Sequence, residues 1–269
     1  MAGVKTFKWK CKRGLGEMTY SFSDYLYFME DLKICIFLTG TISPSREVIN
    51  LVHTDTKKRE SEYYAAICDW ILLDYQIVFC ENSDYESKKL EALFANYPNC
   101  EYLKFHSSAN SKSEGEAEIF KYSFSNSKTL REAQYIVKST GRYTIKNTNT
   151  IIKKILENST SFSNDVWCDL SRNLTFSDSR FFVFKPSFYQ NYLEKYLQFI
   201  NENNDIFFET CLARSVHSCL ADGKKWALLP EPIICKGIYG TEGIEFKNDY
   251  FRILKRKLFL FVKKMTFNL

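Results

Sequence analysis

The sequence predicts an α/β fold: a single domain with a mostly parallel central sheet, helices on both of its faces, and an amphipathic helix at the C-terminus. Three observations predict it. Apolar runs such as Ile34-Cys35-Ile36-Phe37-Leu38 lack the in-out alternation of a half-exposed strand and suit strands covered on both sides. Stretches of helical periodicity separate these runs, and alternation of strand and helix is the pattern of parallel strands joined by crossovers. At 269 residues, 45% of them apolar, the chain can bury a full core.

Residues 1–32 mix aromatics, charges and the glycines Gly14 and Gly16 without a clear period and read as an N-terminal extension. The domain is expected over residues 33–249. Its first strand spans residues 33–40 and ends in Gly40, and the Pro44-Ser45-Arg46 string breaks the chain after it. Between Asp55 and Leu73, Tyr63, Ala66, Ile67, Trp70 and Ile71 recur at helical spacing behind a charged start that contains Arg59. A second strand, residues 75–80, ends in the turn chemistry of Glu81-Asn82-Ser83-Asp84. A short helix over 88–95 and a third strand over 101–105 follow, then a Ser/Asn-rich loop over 106–113.

Gly115 opens a further helical run, and Tyr135-Ile136-Val137 is read as a strand that stops at the Lys138-Ser139-Thr140-Gly141-Arg142-Tyr143 cluster. A helix is expected over 151–156. The second half differs, with strands at 166–168 and 181–184 around a polar loop, a helix opening at Pro186, a helix over 210–220 and a late strand over 226–230. No internal repeat of 20–50 residues is visible.

Composition excludes several classes. Thirty-seven Lys and Arg against 32 Asp and Glu leave +5, too small an excess for a dedicated nucleic-acid binder. Nine scattered cysteines without a Cys-x-x-Cys pair suit buried thiols in a reducing compartment, and three dispersed histidines give no metal-ligand spacing. No apolar run is long enough to span a bilayer, and no signal-peptide pattern follows the basic start. A cytoplasmic protein is expected.

In an open α/β sheet, ligands bind just past the carboxyl ends of strands. Lys138, Thr140, Gly141 and Arg142 occupy such a place, and cations beside a glycine there suit an anionic ligand; a sugar nucleotide is the candidate.

The order of features resembles GT-A glycosyltransferases of the family-2 type, and in particular bacterial polysaccharide-biosynthesis glycosyltransferases, over roughly residues 33–245. The resemblance implies that the first loop, with Thr39 and Thr41, and the acidic turn, with Glu81 and Asn82, hold the base and ribose of a nucleotide-sugar donor. Arg59 joins these donor-side candidates. Gly115 and Glu116 match the family's glycine-containing helix start.

Where that family carries an Asp-x-Asp metal motif, this chain has Lys138 to Tyr143. Lys138 and Arg142 can neutralise a diphosphate directly, so a reaction without a metal cofactor is expected; the alternative is Mg²⁺ or Mn²⁺ held by Asp169 or Asp178. Strings around Asp169 and around Asp178 and Arg180 resemble loops of the same group, as does the 237–243 string. Glu209, after two phenylalanines, matches the position of the general base in inverting members.

The implied activity is a hexosyltransferase that moves a sugar, with a UDP-sugar as the leading donor, to a hydroxyl of a glycan or lipid-linked oligosaccharide of a surface polysaccharide, capsule or lipopolysaccharide. The rivals are a nucleotidyltransferase and a non-catalytic scaffold. In the tail, residues 250–269, Phe251, Leu254, Leu258, Phe261, Val262 and Met265 share a helical face, while Arg252, Lys255, Arg256, Lys257, Lys263 and Lys264 lie mostly off it. That pattern suits contact with the inner face of the cytoplasmic membrane.

Overall fold

The computed structural model describes residues 7–8, 19–20, 32–44, 54–157, 164–238 and 245–267. The chain divides into two compact units, Met1–Lys33 and Ile34–Leu269. In the first, β1 (Phe7–Lys8) and β2 (Thr19–Tyr20) pair antiparallel.

The second unit is an α/β fold. Its order is β3 (Ile34–Gly40), α1 (Thr56–Ile71), β4 (Gln76–Glu81), α2 (Lys88–Ala95), β5 (Cys100–Lys104), α3 (Lys112–Asn126), α4 (Lys128–Glu132), β6 (Tyr135–Thr140), β7 (Thr144–Ile145) and α5 (Thr148–Glu157). Then come β8 (Val166–Trp167), β9 (Phe181–Phe184), a helical run over 186–197 (α6) with a π-turn at Tyr189–Leu193, α7 (Phe208–Ala221), β10 (Trp226–Ala227), β11 (Cys235–Lys236) and α8 (Tyr250–Phe267).

The main sheet has the order β10-β8-β9-β6-β3-β4-β5. β3 is parallel to both β4 and β6, β4 to β5, and β8 to β10, while β9 runs antiparallel to its neighbours β6 and β8. β7 and β11 form a separate antiparallel pair.

Both faces of the sheet are covered, which is why β3 is buried along its whole length. On one face Cys35, Phe37, Val78, Cys80, Ile136, Phe182 and Phe184 pack with residues of α3, α4, α6 and α7. Phe120 of α3 is the hub, its ring 5.0 Å from Phe37, 5.3 Å from Phe208 and 5.8 Å from Tyr189. On the other face Phe79 meets Tyr63 of α1 at 5.5 Å and Phe94 of α2 at 6.1 Å. Such aromatic pairs add to the free energy of burying their area.

Local chemistry fixes the helix starts. Asp55 accepts from Lys58 N at 3.0 Å to begin α1. Ser111 accepts from Glu114 N at 3.2 Å, and the Glu114 carboxylate accepts from Asn110 N at 3.1 Å, so α3 begins before Gly115 and not at it. Three other expectations shift. β6 does not stop at Val137 but continues through Thr140, because Lys138 is buried and paired. α7 starts at Phe208, which puts Glu209 in its first turn, and the late strand is only Trp226–Ala227. Most of the 237–243 string lies outside the described residues.

The described cysteines are all free thiols. Burial pushes the pKa of Cys80, Cys168 and Cys235 up to about 12.

Phe120→Ala is expected to lower the unfolding free energy by about 3–5 kcal/mol. Urea unfolding followed by circular dichroism checks this as a fall in midpoint at unchanged slope.

Candidate active site

The strand order reverses about β3. β4 and β5 extend the sheet on one side and β6 on the other, so the loops leaving β3 and β6 part and open a crevice at their carboxyl ends. A cavity of about 250 Å³ lies there. Thr39, Thr41, Arg59, Asn82, Gly115, Glu116, Thr140 and Arg142 border it, eight of the residues singled out from sequence. Tyr63, Ser83, His106, Ser107 and Lys112 also border it and were not singled out.

The mouth is held by a polar lattice built from the first two strand ends. Thr39 and Thr140 stand side by side in the β3–β6 register, and Gly141 N donates to Thr39 O at 2.8 Å to extend the ladder. Glu81 is fully buried, and its carboxylate accepts from Ile42 N at 2.9 Å, Ser83 N at 2.9 Å and Tyr85 N at 3.2 Å. It shapes the loop and does not line the cavity. Thr41 Oγ1 donates to Asn82 Oδ1 at 2.6 Å, and Asn82 Nδ2 donates to Gly115 O at 3.3 Å. A Cβ on Gly115 would lie 2.9 Å from that amide nitrogen, so the glycine permits the approach of α3. Thr41 N donates to the Tyr63 hydroxyl at 2.8 Å.

Two guanidiniums border the cavity. Arg59 is buried, and its Nε donates to Thr41 O at 3.0 Å and Ile42 O at 3.2 Å. Burial holds its pKa below the usual arginine value; Tyr63 opposes that shift, and the nearby Arg142 charge adds to it. Arg142 is 8% exposed and stands 3.8 Å from the Glu62 carboxylate. Its Nε and Nη1 make no hydrogen bond among the described residues. Buried charged donors without acceptors cost free energy, so an anion entering beside Arg142 gains both charge and hydrogen bonds.

Lys138 lies under the cavity rather than in it. Its side chain is wholly buried, with Nζ bonded to the Glu116 carboxylate and to Ser179 O, the latter at 2.6 Å, and 5.8 Å from the Phe208 ring. Ser179 Oγ donates to Glu209 Oε1 at 2.7 Å. One chain of contacts thus runs Glu116, Lys138, Ser179, Glu209. Glu209 is half-buried in the first turn of α7, where a carboxylate also meets the positive end of the helix. Gly141, like Lys138, Glu81 and Glu209, is set back from the cavity.

Asp178 and Arg180 lie elsewhere, on a second cavity of about 300 Å³ that is also bordered by α8. Arg180 Nε donates to both Asp178 oxygens, at 2.9 and 3.0 Å. Burial pushes the Asp178 carboxyl up, but the bonds and charge of Arg180 outweigh it and leave the pKa below the ordinary value. Asp169, on the same cavity, is bonded by Lys263. Both acids named for a metal are thus engaged by cations, and among the described residues no group of three or more His, Cys, Asp or Glu could hold a metal ion.

No family model and no curated protein matches the sequence. Among solved structures, the chain is distantly similar to a proposed nucleotide-diphospho-sugar transferase from Desulfovibrio desulfuricans G20, with 11% identity and a TM-score of 0.44 over 74% of this chain and 80% of that one. It is also distantly similar to a cytidylyltransferase from Leptospira borgpetersenii, with 15% identity and a TM-score of 0.41 over 75% and 77% of the two chains. A 4-diphosphocytidyl-2C-methyl-D-erythritol synthase from Anaerococcus prevotii gives 10% identity and a TM-score of 0.42 over 87% and 98%.

Lys138→Ala strands the Glu116 carboxylate and is expected to cost about 3 kcal/mol of stability, measured by chemical denaturation. The depressed Asp178 pKa gives a second expectation. Its contribution to stability is complete above the ordinary value of 3.8 and is lost as the pH falls through the lower folded value. Asp178→Asn therefore flattens the acid limb of the stability–pH curve in that window.

Proposed function

We propose that the protein is a transferase that binds a nucleotide sugar in the crevice between β3 and β6 and passes the sugar to an acceptor hydroxyl. The observation that carries this reading is Arg142, buried at a strand end on the cavity, beside Glu62 but with Nε and Nη1 making no hydrogen bond among the described residues, and with a second guanidinium, Arg59, on the same cavity. A diphosphate supplies oxygens for such donors. Thr39, Thr41 and Asn82 border the same cavity, and in this reading they hold the base and ribose.

In the proposed step the acceptor oxygen forms a bond to the anomeric carbon as the bond from that carbon to the diphosphate oxygen breaks. The departing nucleoside diphosphate keeps the electron pair, and Arg142 and Arg59 stabilise its charge. The base of the proposal is Glu209, held by Ser179 and set back from the nucleotide cavity, so that the acceptor hydroxyl meets it from outside that cavity and gives up its proton there. Glu116 is the other carboxylate of the network and borders the cavity itself. The acceptor class proposed is a glycan or lipid-linked oligosaccharide.

Calorimetric titration of UDP-, GDP-, CMP- and dTDP-sugars, each with EDTA and with Mn²⁺, tests the site. Binding in EDTA is expected, weakened about 10- to 100-fold by Arg142→Ala through loss of a charge-assisted bond. Glu209→Gln is expected to abolish turnover and leave that binding intact; the same result from Glu116→Gln alone would move the base to Glu116. Pyrophosphate release from a nucleoside triphosphate and a sugar phosphate would instead identify a nucleotidyltransferase. Absence of any nucleotide binding would reject the transferase reading in favour of a scaffold.

A further inference from the structure

We propose that α8 is a lipid-contact element whose outward face lies on an anionic membrane surface; this does not depend on the nucleotide reading.

The helix is docked on the domain largely by polar groups. Lys263 Nζ donates to the Asp169 carboxylate and to Leu170 O, Lys264 Nζ to Pro230 O at 3.2 Å, and Arg256 Nη1 to Asn248 Oδ1 at 3.4 Å. Phe267 meets the edge of Trp226 with ring centroids 5.6 Å apart. That orientation leaves the apolar stripe outside: Phe251 is 79% exposed, Leu258 62% and Met265 66%, with Leu254, Phe261 and Val262 exposed between them. Steps of three and four residues place these side chains along one side of the helix. A helix packed for water alone turns such a stripe inward, and contiguous exposed apolar surface marks a contact site.

Charge selects the occupant. Lys255, at the rim of the second cavity, and Lys257, which stands 3.8 Å from the Glu231 carboxylate, are both exposed and fall on opposite borders of the stripe, where long side chains can turn their ammonium groups to acidic headgroups as the stripe enters the acyl boundary. A second copy is the poorer fit, since pairing the stripe with itself across a two-fold axis sets these lysine borders against each other. No described helix is long and apolar enough to cross a membrane, so α8 lies along the surface rather than through it. The inner side of the same helix borders the cavity of Asp178 and Arg180, and lipid docking brings that cavity to the membrane.

The test is co-sedimentation of the full chain with phosphatidylcholine vesicles, with and without phosphatidylserine. Binding at least about tenfold tighter to the anionic vesicles, weakened by salt, is expected. The exposed double variant Leu258→Asp/Phe261→Asp loses this binding with unchanged circular dichroism and unchanged nucleotide affinity, and Lys255→Glu/Lys257→Glu loses the preference for anionic lipid. Failure of the wild type to bind vesicles, or equal binding to neutral ones, overturns the proposal. A dimer in sedimentation equilibrium that the Leu258→Asp/Phe261→Asp variant dissolves, without vesicle binding, assigns the stripe to a second copy.

Discussion

The buried ammonium of Lys138 sets the layout of the crevice. An ionised group removed from water persists only where opposite charge and hydrogen bonds replace its hydration. Here the replacements come from α3, through Glu116, and from the turn before β9, through the Ser179 carbonyl. Satisfying one ammonium therefore fixes the distance between β6, α3 and that turn. Ser179 then passes the constraint to Glu209 and the start of α7. The same pairing explains why a strand can run through a lysine: with its charge matched, Lys138 continues the ladder beside Phe37 of β3 and Phe182 of β9.

The opposite side of the crevice depends on α1. Its inward stripe of Tyr63, Ala66, Ile67 and Trp70 seats it on the sheet, and the N-terminal turns of that stripe carry Arg59 and Glu62 to the strand ends. Arg59 is spent partly on the carbonyls of residues 41 and 42, which steadies the first loop, whereas Arg142 is ion-paired with Glu62 through Nη1 but among the described residues makes no hydrogen bond through Nε or Nη1. A rigid cation and an available one thus share the cavity, and the polar wall is built before any ligand arrives.

Much of this was legible in the sequence because the central strands are pure apolar runs and a switch in strand order puts their carboxyl ends together. Thr140 and Arg142 stand out by their position at a strand end and Thr39, Thr41 and Asn82 through the family resemblance, and all five border the cavity. The fate of Lys138 was not legible, since its burial depends on Glu116 and Ser179, distant in sequence and adjacent only in the fold. Tyr63 was read as an apolar helix position, and its ring does pack on Phe79; its hydroxyl matters because the first loop folds back onto it. One signal could have found that region: Arg59 stands one turn ahead of Tyr63 on the stripe that faces the core, where a charge needs a reason to be. The segregation of α8 was visible as a pattern, but which side faces the domain is decided by Asp169, Pro230 and Asn248, which no periodicity reports.

The buried thiols carry a chemical consequence. Nucleophilic attack and oxidation proceed through the thiolate, and at neutral pH the elevated pKa values of Cys80, Cys168 and Cys235 leave almost none of it. The folded protein therefore keeps these sulfurs inert towards electrophiles and peroxide. Opening the sheet returns each to ordinary solvent and ordinary reactivity, so unfolding and chemical damage become one event. In a compartment that turns oxidising, an excursion from the native state can end in covalent cross-linking, and the persistence of the fold becomes its protection against oxidation.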